Sequence, residues 1–147
     1  MKTTLNISVI IAMIFFYSNI YSQTIEIQAI GHGKKIHDLT KSSKSKEIKL
    51  RDGQTYTMDF AVKNGRTYFV QIEGAKSLGN VQYRIKSLTE NGDEVILYDN
   101  SIDEFNNRIY FIAGFSGKAT LEVITQPVSK YTPKIKKDDV DIVIAFN

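Results

Sequence analysis

The feature that most limits what this chain can become is its period. From Gln23 onward, apolar side chains recur at every second position. Ile25, Ile27 and Ala29 alternate with Glu26 and Gln28, and Tyr56, Met58, Phe60 and Val62 alternate with Thr55, Thr57, Asp59 and Ala61. Tyr68, Val70 and Ile72 repeat the pattern, as do Val81, Tyr83 and Ile85, then Leu121 and Val123, and finally Ile142, Ile144 and Phe146. Alternation of this kind sends successive side chains to opposite faces of a strand, one buried and one wet. A helix would need apolar residues at i, i+3, i+4 and i+7, and no helix-length stretch of this region supplies them.

Turn signals punctuate the runs. Asp52-Gly53, Asn64-Gly65 and Asn91-Gly92 tolerate positive φ and predict tight hairpins, and Gly114 and Gly117 bracket a further turn. Short strands at such spacing predict an all-β, antiparallel β-sandwich. Val95 to Tyr98 and Ile109 to Ala113 are apolar at every position. They read as central strands, or as strands covered on the outer side by a loop. Gly31 to Lys46 is polar and reads as one long surface loop, and Pro127 to Asp139 as a connector that returns the last strand beside the first.

The opening residues follow another rule. Lys2 provides a positive start, Ile7 to Phe16 an apolar run, and Tyr17 to Ser22 a polar, small-residue close. These are the three parts of a secretory signal, and the run is shorter than the roughly 20 residues that cross a bilayer. The expectation is a leader over 1–22, cleaved after Ser22, and a single domain over 23–147 that is secreted or periplasmic, with no transmembrane segment. Losing Lys2 leaves 18 of the 19 lysines and arginines against 16 aspartates and glutamates, a net of +2. So small a charge argues against nucleic acid as partner, because that affinity rests on many phosphate contacts. Cysteine is absent. The domain is therefore held by its core rather than by disulfides, and no lipidated cysteine anchors it. The lysine-, isoleucine- and asparagine-rich composition fits a bacterial source.

Within this frame, Ile48 to Thr125 resembles the bacterial pre-peptidase C-terminal domain. The resemblance begins with Ile48-Lys49-Leu50-Arg51-Asp52-Gly53-Gln54-Thr55-Tyr56-Thr57-Met58-Asp59-Phe60, similar to that family's strand, Gly-Gln turn and alternating strand. It continues through Tyr83-Arg84-Ile85 and Asn91-Gly92-Asp93-Glu94-Val95 and closes with Gly117-Lys118-Ala119-Thr120-Leu121-Glu122-Val123. The family's acidic strand is replaced here by Gly79-Asn80-Val81-Gln82-Tyr83. The resemblance implies a jelly-roll-like sandwich and an accessory role beside a larger secreted protein.

Few residues offer chemistry. A nucleophilic mechanism needs an oriented base, and His32 and His37 are the only histidines. Both lie in the polar loop with Ser42, Ser43 and Ser45, without a Gly-x-Ser-x-Gly elbow, so the chain does not read as an enzyme. Asp93, Asp99, Asp103 and Glu104 crowd carboxylates around one loop end and are the candidates for a calcium ion. They lack the spacing of known calcium loops, so a solvated acidic rim without cofactor is the plainer reading. Lys34, Lys35, Lys134, Lys136 and Lys137 would form one positive surface if the first and last strands were neighbours, and such a surface attracts anionic partners. Tyr98, Tyr110 and Tyr131 are the aromatic candidates for carbohydrate, Tyr110 especially, because Ile109 and Phe111 must face away from it.

The sequence thus points to an exported, non-enzymatic binding module of the bacterial envelope, with a polysaccharide or an envelope or secreted protein as partner. A structural domain docked on a larger secreted enzyme is the alternative, and a hydrolase with an unfamiliar site stands behind both. Mass spectrometry of exported protein should find Gln23 as the first residue. A species that keeps Met1 to Ser22 would contradict cleavage.

Overall fold

The computed structural model describes residues 25–31, 39–127 and 137–147. The expected leader, His32, His37 and most of the Pro127–Asp139 connector lie outside them. Every alternating run from Ile25 onward becomes a strand: β1 (Ile27–Gly31), β4 (Thr55–Val62), β5 (Thr67–Gly74), β6 (Val81–Leu88), β9 (Gly117–Thr125) and β10 (Asp138–Phe146). So do the doubly apolar runs, as β7 (Glu94–Asp99) and β8 (Arg108–Ala113). β3 (Lys46–Leu50) and the short β2 (Thr40–Lys41) complete the set. β2 falls inside the stretch expected to be one loop, and β10 starts inside the expected connector.

Two antiparallel sheets pack face to face. One has the order β1-β8-β5-β10, with β2 and β3 both paired to the far side of β10; the other has the order β4-β9-β6-β7. The inward positions of both sheets meet in one core that includes Val70, Ile85, Ile109, Phe111, Leu121, Val123, Val140 and Ile144, all fully or almost fully buried. Tyr68 lies at the centre of its aromatic part, with ring centroids 5.4 Å from Phe111, 6.2 Å from Phe146 and 6.4 Å from Phe60. Its hydroxyl accepts a hydrogen bond from the Lys63 amide at 2.8 Å. A buried phenol needs such a partner, and here the partner is the turn that leads into its own strand.

The turns correct the sequence reading. Gly53, Gly65 and Gly92 do adopt positive φ. Only Asn91-Gly92 closes a hairpin, between β6 and β7; Asp52-Gly53 links β3 to β4 and Asn64-Gly65 links β4 to β5, strands of different sheets. A dipeptide fixes local backbone angles but not which strand the chain pairs with next. β7 is a second correction. It is an edge strand, and Ile96 is 51 % exposed. A register shift against β6 at Ile85/Lys86 lets Tyr98 pair with Ile85 and Ile96 with Lys86, leaving Leu97 as an extra residue. Leu97 and Tyr98 consequently both lean on the core. A bulge, not a central position, explains why two successive residues, Leu97 and Tyr98, are both apolar. β8, by contrast, lies between β1 and β5 as an interior strand should.

β10 does not pair with β1; β8 and β5 separate them. Its outer partners are β3 along Asp138–Ile142 and β2 along Ala145–Phe146. Between these partners Ser45 substitutes for a strand residue. Its Oγ donates to the Ile144 carbonyl at 3.0 Å and accepts from the Ile144 amide at 2.9 Å, while the Ser42 amide also reaches that carbonyl at 2.7 Å. Ser45→Ala should therefore lower stability by about 1–2 kcal/mol, because the Ile144 amide loses its partner. Urea melts read that loss, and an unchanged midpoint would deny the bridging role.

Candidate functional site

The outer face of the four-stranded sheet carries a row of charge. The register places Glu122 of β9, Arg84 of β6 and Asp99 of β7 side by side across three strands. Arg84 Nε donates to Asp99 Oδ2 at 2.7 Å, and Nη1 reaches Glu122 Oε2 at 3.4 Å. Lys86 Nζ lies 2.9 Å from Glu122 and 3.1 Å from Glu94. The side chains of Asp99, Glu122 and Lys86 are mostly buried against their neighbours, so water screens this row less than it screens an exposed pair.

Asp99 has a second task. Its Oδ1 accepts from the Ser101 amide at 2.9 Å and from the Ser101 hydroxyl at 2.7 Å, capping the 3₁₀ turn Asn100–Ile102, and Gln82 Nε2 donates to both carboxylate oxygens. Burial by itself would raise the Asp99 pKa; the hydrogen bonds from Ser101, Gln82 and Arg84 outweigh it and hold the carboxyl well below its usual range. A carboxylate so stabilised is a poor proton acceptor at neutral pH, so the Ser101–Asp99 contact is a cap and not a catalytic pair.

The next residue locks the loop. Asn100 is 0 % exposed. Its Oδ1 accepts from the Tyr83 amide at 2.8 Å, and Nδ2 donates to the carbonyls of Val81 at 3.1 Å and Asn106 at 3.2 Å. Its own carbonyl accepts from the amides of Asp103 and Phe105. Tyr98 donates its hydroxyl to Asp103 at 2.8 Å and packs its ring 5.6 Å from Tyr83. Burial, and then the neighbouring Asp103, raise the Tyr98 pKa; burial and the nearby Tyr98 hydroxyl raise that of Tyr83. Held at both ends, the loop keeps Glu104 (φ 51°) and Phe105 (φ 56°) left-handed. Two successive non-glycine residues in that region persist only where surroundings enforce them. At the tip Ile102 is 85 % exposed.

The predicted site residues scatter. Tyr98 is engaged as described. Tyr110 does face outward from the other sheet, but it is only 7 % exposed and packs at a tilt against Phe69, ring centroids 4.6 Å apart. Asp93 lies in the β6–β7 turn, where its amide reaches the Thr89 hydroxyl. Among the described residues, no three histidine, cysteine, aspartate or glutamate side chains gather to hold a metal ion. Asp99 turns to Arg84 and Gln82, and Asp103 to Tyr98. Lys34, Lys35, Tyr131, Lys134 and Lys136 lie outside the described residues; Lys137 is exposed beside β10. The condition for one positive surface, adjacent first and last strands, is not met. Lysines on the β2–β3 side meet carboxylates instead, as in the Lys49–Asp139 ion pair at 2.8 Å and a hollow of about 420 Å³ lined by Lys41, Lys46, Glu47, Glu73 and Asp141. A second hollow, of about 310 Å³, opens between Leu88, Glu90, Phe115 and Lys118.

Arg84, Lys86, Glu122 and Asn100 were not identified from sequence. The charged residues are ordinary outward strand positions until register aligns them, and Asn100 looks like any turn asparagine. The Asp-Asn-Ser run after a strand was the available capping signal.

No protein-family model and no curated protein matches the chain. Among solved structures it is similar to Aeromonas hydrophila PliG, described as a periplasmic lysozyme inhibitor of g-type lysozyme. The TM-score is 0.54 at 12 % identity, over 78 % of this chain and 92 % of that one. The likeness is one of fold.

Asn100→Ala should cost about 3 kcal/mol, since it strands several buried backbone groups. Asp99→Asn should destabilise at neutral pH and also flatten acid unfolding. A carboxyl whose folded pKa is lowered stabilises fully above its unfolded value of about 3.9, and that stabilisation drains as pH falls through the folded value. Melts across acid pH that run parallel for the two proteins would refute this role.

Proposed function

We propose that the chain acts as an exported, non-enzymatic module that binds a protein outside the cytoplasm. The observation that carries this reading is the fold it shares with a periplasmic lysozyme inhibitor over nearly all of that inhibitor's length. An inhibitor works by complementary contact and needs no catalytic group of its own, which suits a site built from capped loops and ion pairs. Among the described residues no helix is long and apolar enough to cross a membrane. The secretory leader pattern supports export.

Carbohydrate is the weaker alternative. Stacking against a sugar needs a flat aromatic face open to solvent. Tyr110 is nearly closed off, and Tyr98 spends its hydroxyl on Asp103. A cell-wall hydrolase is the first partner to test. Purified protein should be retained by immobilised g-type lysozyme and should slow its clearing of a cell-wall suspension, saturating at stoichiometric amounts. Retention on polysaccharide, with none on lysozymes or envelope proteins, would overturn the reading.

A further inference from the structure

We infer that the open edge of β7 and the loop after it form a docking surface for an extended segment of a partner protein, apolar in the middle and flanked by lysine or arginine. The inference rests on the protein-binding reading above and gives it a surface and a partner chemistry.

Four large apolar side chains stand exposed among the described residues, and three belong to one continuous unit. Leu88 at the end of β6 and Ile96 in β7 are each 51 % exposed, and Ile102 is 85 % exposed. Leu88 and Ile96 share the outer face, as their registers with Glu94 and Lys86 require, and Ile102 follows where β7 ends. One exposed apolar side chain thus lies on the edge strand, one beside it at the end of β6 and one just beyond its end, a row that suits an elongated ligand more than a compact one.

Two of the three other edges are guarded differently, while β1 (Ile27–Gly31), like β7, has neither lysine nor proline but exposes only Ile30. The β2–β3 side carries Lys41, Lys46 and Lys49, and β4 turns Thr55, Thr57 and Asp59 outward. Such residues blunt an edge against pairing. β7 has neither lysine nor proline; its one irregularity is the bulge at Leu97, which bends the strand toward the loop.

Charge specifies the partner. Ser87 to Asn107 holds Glu90, Asp93, Glu94, Asp99, Asp103 and Glu104 without a single lysine or arginine, in a chain whose net charge is +3. Arg84 and Lys86 answer Asp99 and Glu94 from below. Glu90, Asp93 and Glu104 add acidic charge along the rim, which favours a basic-flanked segment and repels an acidic one. A second copy of this edge would set acidic ends against acidic ends. The loop is also built before the partner arrives: Asn100, Asp99 and Tyr98 hold it, with Glu104 and Phe105 left-handed, so docking does not have to order it.

The probe is a peptide of about twelve residues alternating valine and threonine with lysines at both ends, compared with a twin ending in glutamates. Anisotropy titrations should show the lysine peptide binding about tenfold tighter, with Ile96→Ser and Ile102→Ser each weakening it about tenfold and Ile96→Val retaining it. Amide shifts should centre on β7 and residues 100–107. Circular dichroism of the variants checks that their fold persists. Equal affinity for the two peptides, shifts at β4 or the six-stranded sheet, or a wild-type dimer dissolved by Ile96→Ser would overturn the proposal. If lysozyme is retained undiminished by both serine variants, the surface is wrong and the binding-module reading survives. If no protein is retained while the lysine peptide still maps to β7, that reading falls separately.

Discussion

The six-stranded sheet depends on where its last strand goes. β10 pairs with β5 on one side and with β2 and β3 on the other, and Val140, Ile142 and Ile144 fill the core between the sheets. Without β10, β5 would become an edge, β2 and β3 would have no sheet to join, and the core would lie open. This pairing joins residues about seventy to a hundred positions apart. Closing so long a loop costs chain entropy before any contact repays it, so the sandwich is a slow, non-local object by construction. The Ser45 bridge to Ile144 shows how closely the chain completes that strand's hydrogen bonds where two short partners leave a gap.

The other sheet works on a shorter scale. Its single hairpin, β6–β7, brings Arg84 beside Asp99, and β9 adds Glu122 to the same row. Charge on the outer face and order in the loop are one arrangement, because Asp99 both pairs with Arg84 and caps the turn. Asn100 then replaces strand partners for the backbone at the start of β6. Polar groups this buried are stabilising only when they are satisfied, and both ends of the Asn100 amide are. The loop geometry is thereby tied to the sheet and not left to the loop's own preferences.

Fold and function separate here. The sandwich is shared with a lysozyme inhibitor at an identity that leaves the surface free to differ. A fold hosts many activities, and specificity resides in the groups placed on it. What this chain places on its sandwich is an acidic corner, a pre-formed loop and a short row of exposed isoleucine and leucine. These are the features on which the proposed contact with a partner protein rests.

The sequence by itself determined the strands and the bends. Period two at Tyr56–Val62 or Ile142–Phe146 reports which side of a strand is buried, and Asn91-Gly92 reports a backbone that must turn; both are local properties written in neighbouring residues. It also exposed the acidic crowding between Asp93 and Glu104. Only the tertiary structure decided which strands are neighbours: that Asp52-Gly53 and Asn64-Gly65 cross between sheets, that β10 lies far from β1, and that β7 is an edge whose bulge turns Leu97 inward. It likewise showed Asp99 capping the turn after β7 and Asp103 accepting from the Tyr98 hydroxyl. The reason is that strand pairing is set by the free energy of the whole core, and alternation is the same whichever partner a strand finds.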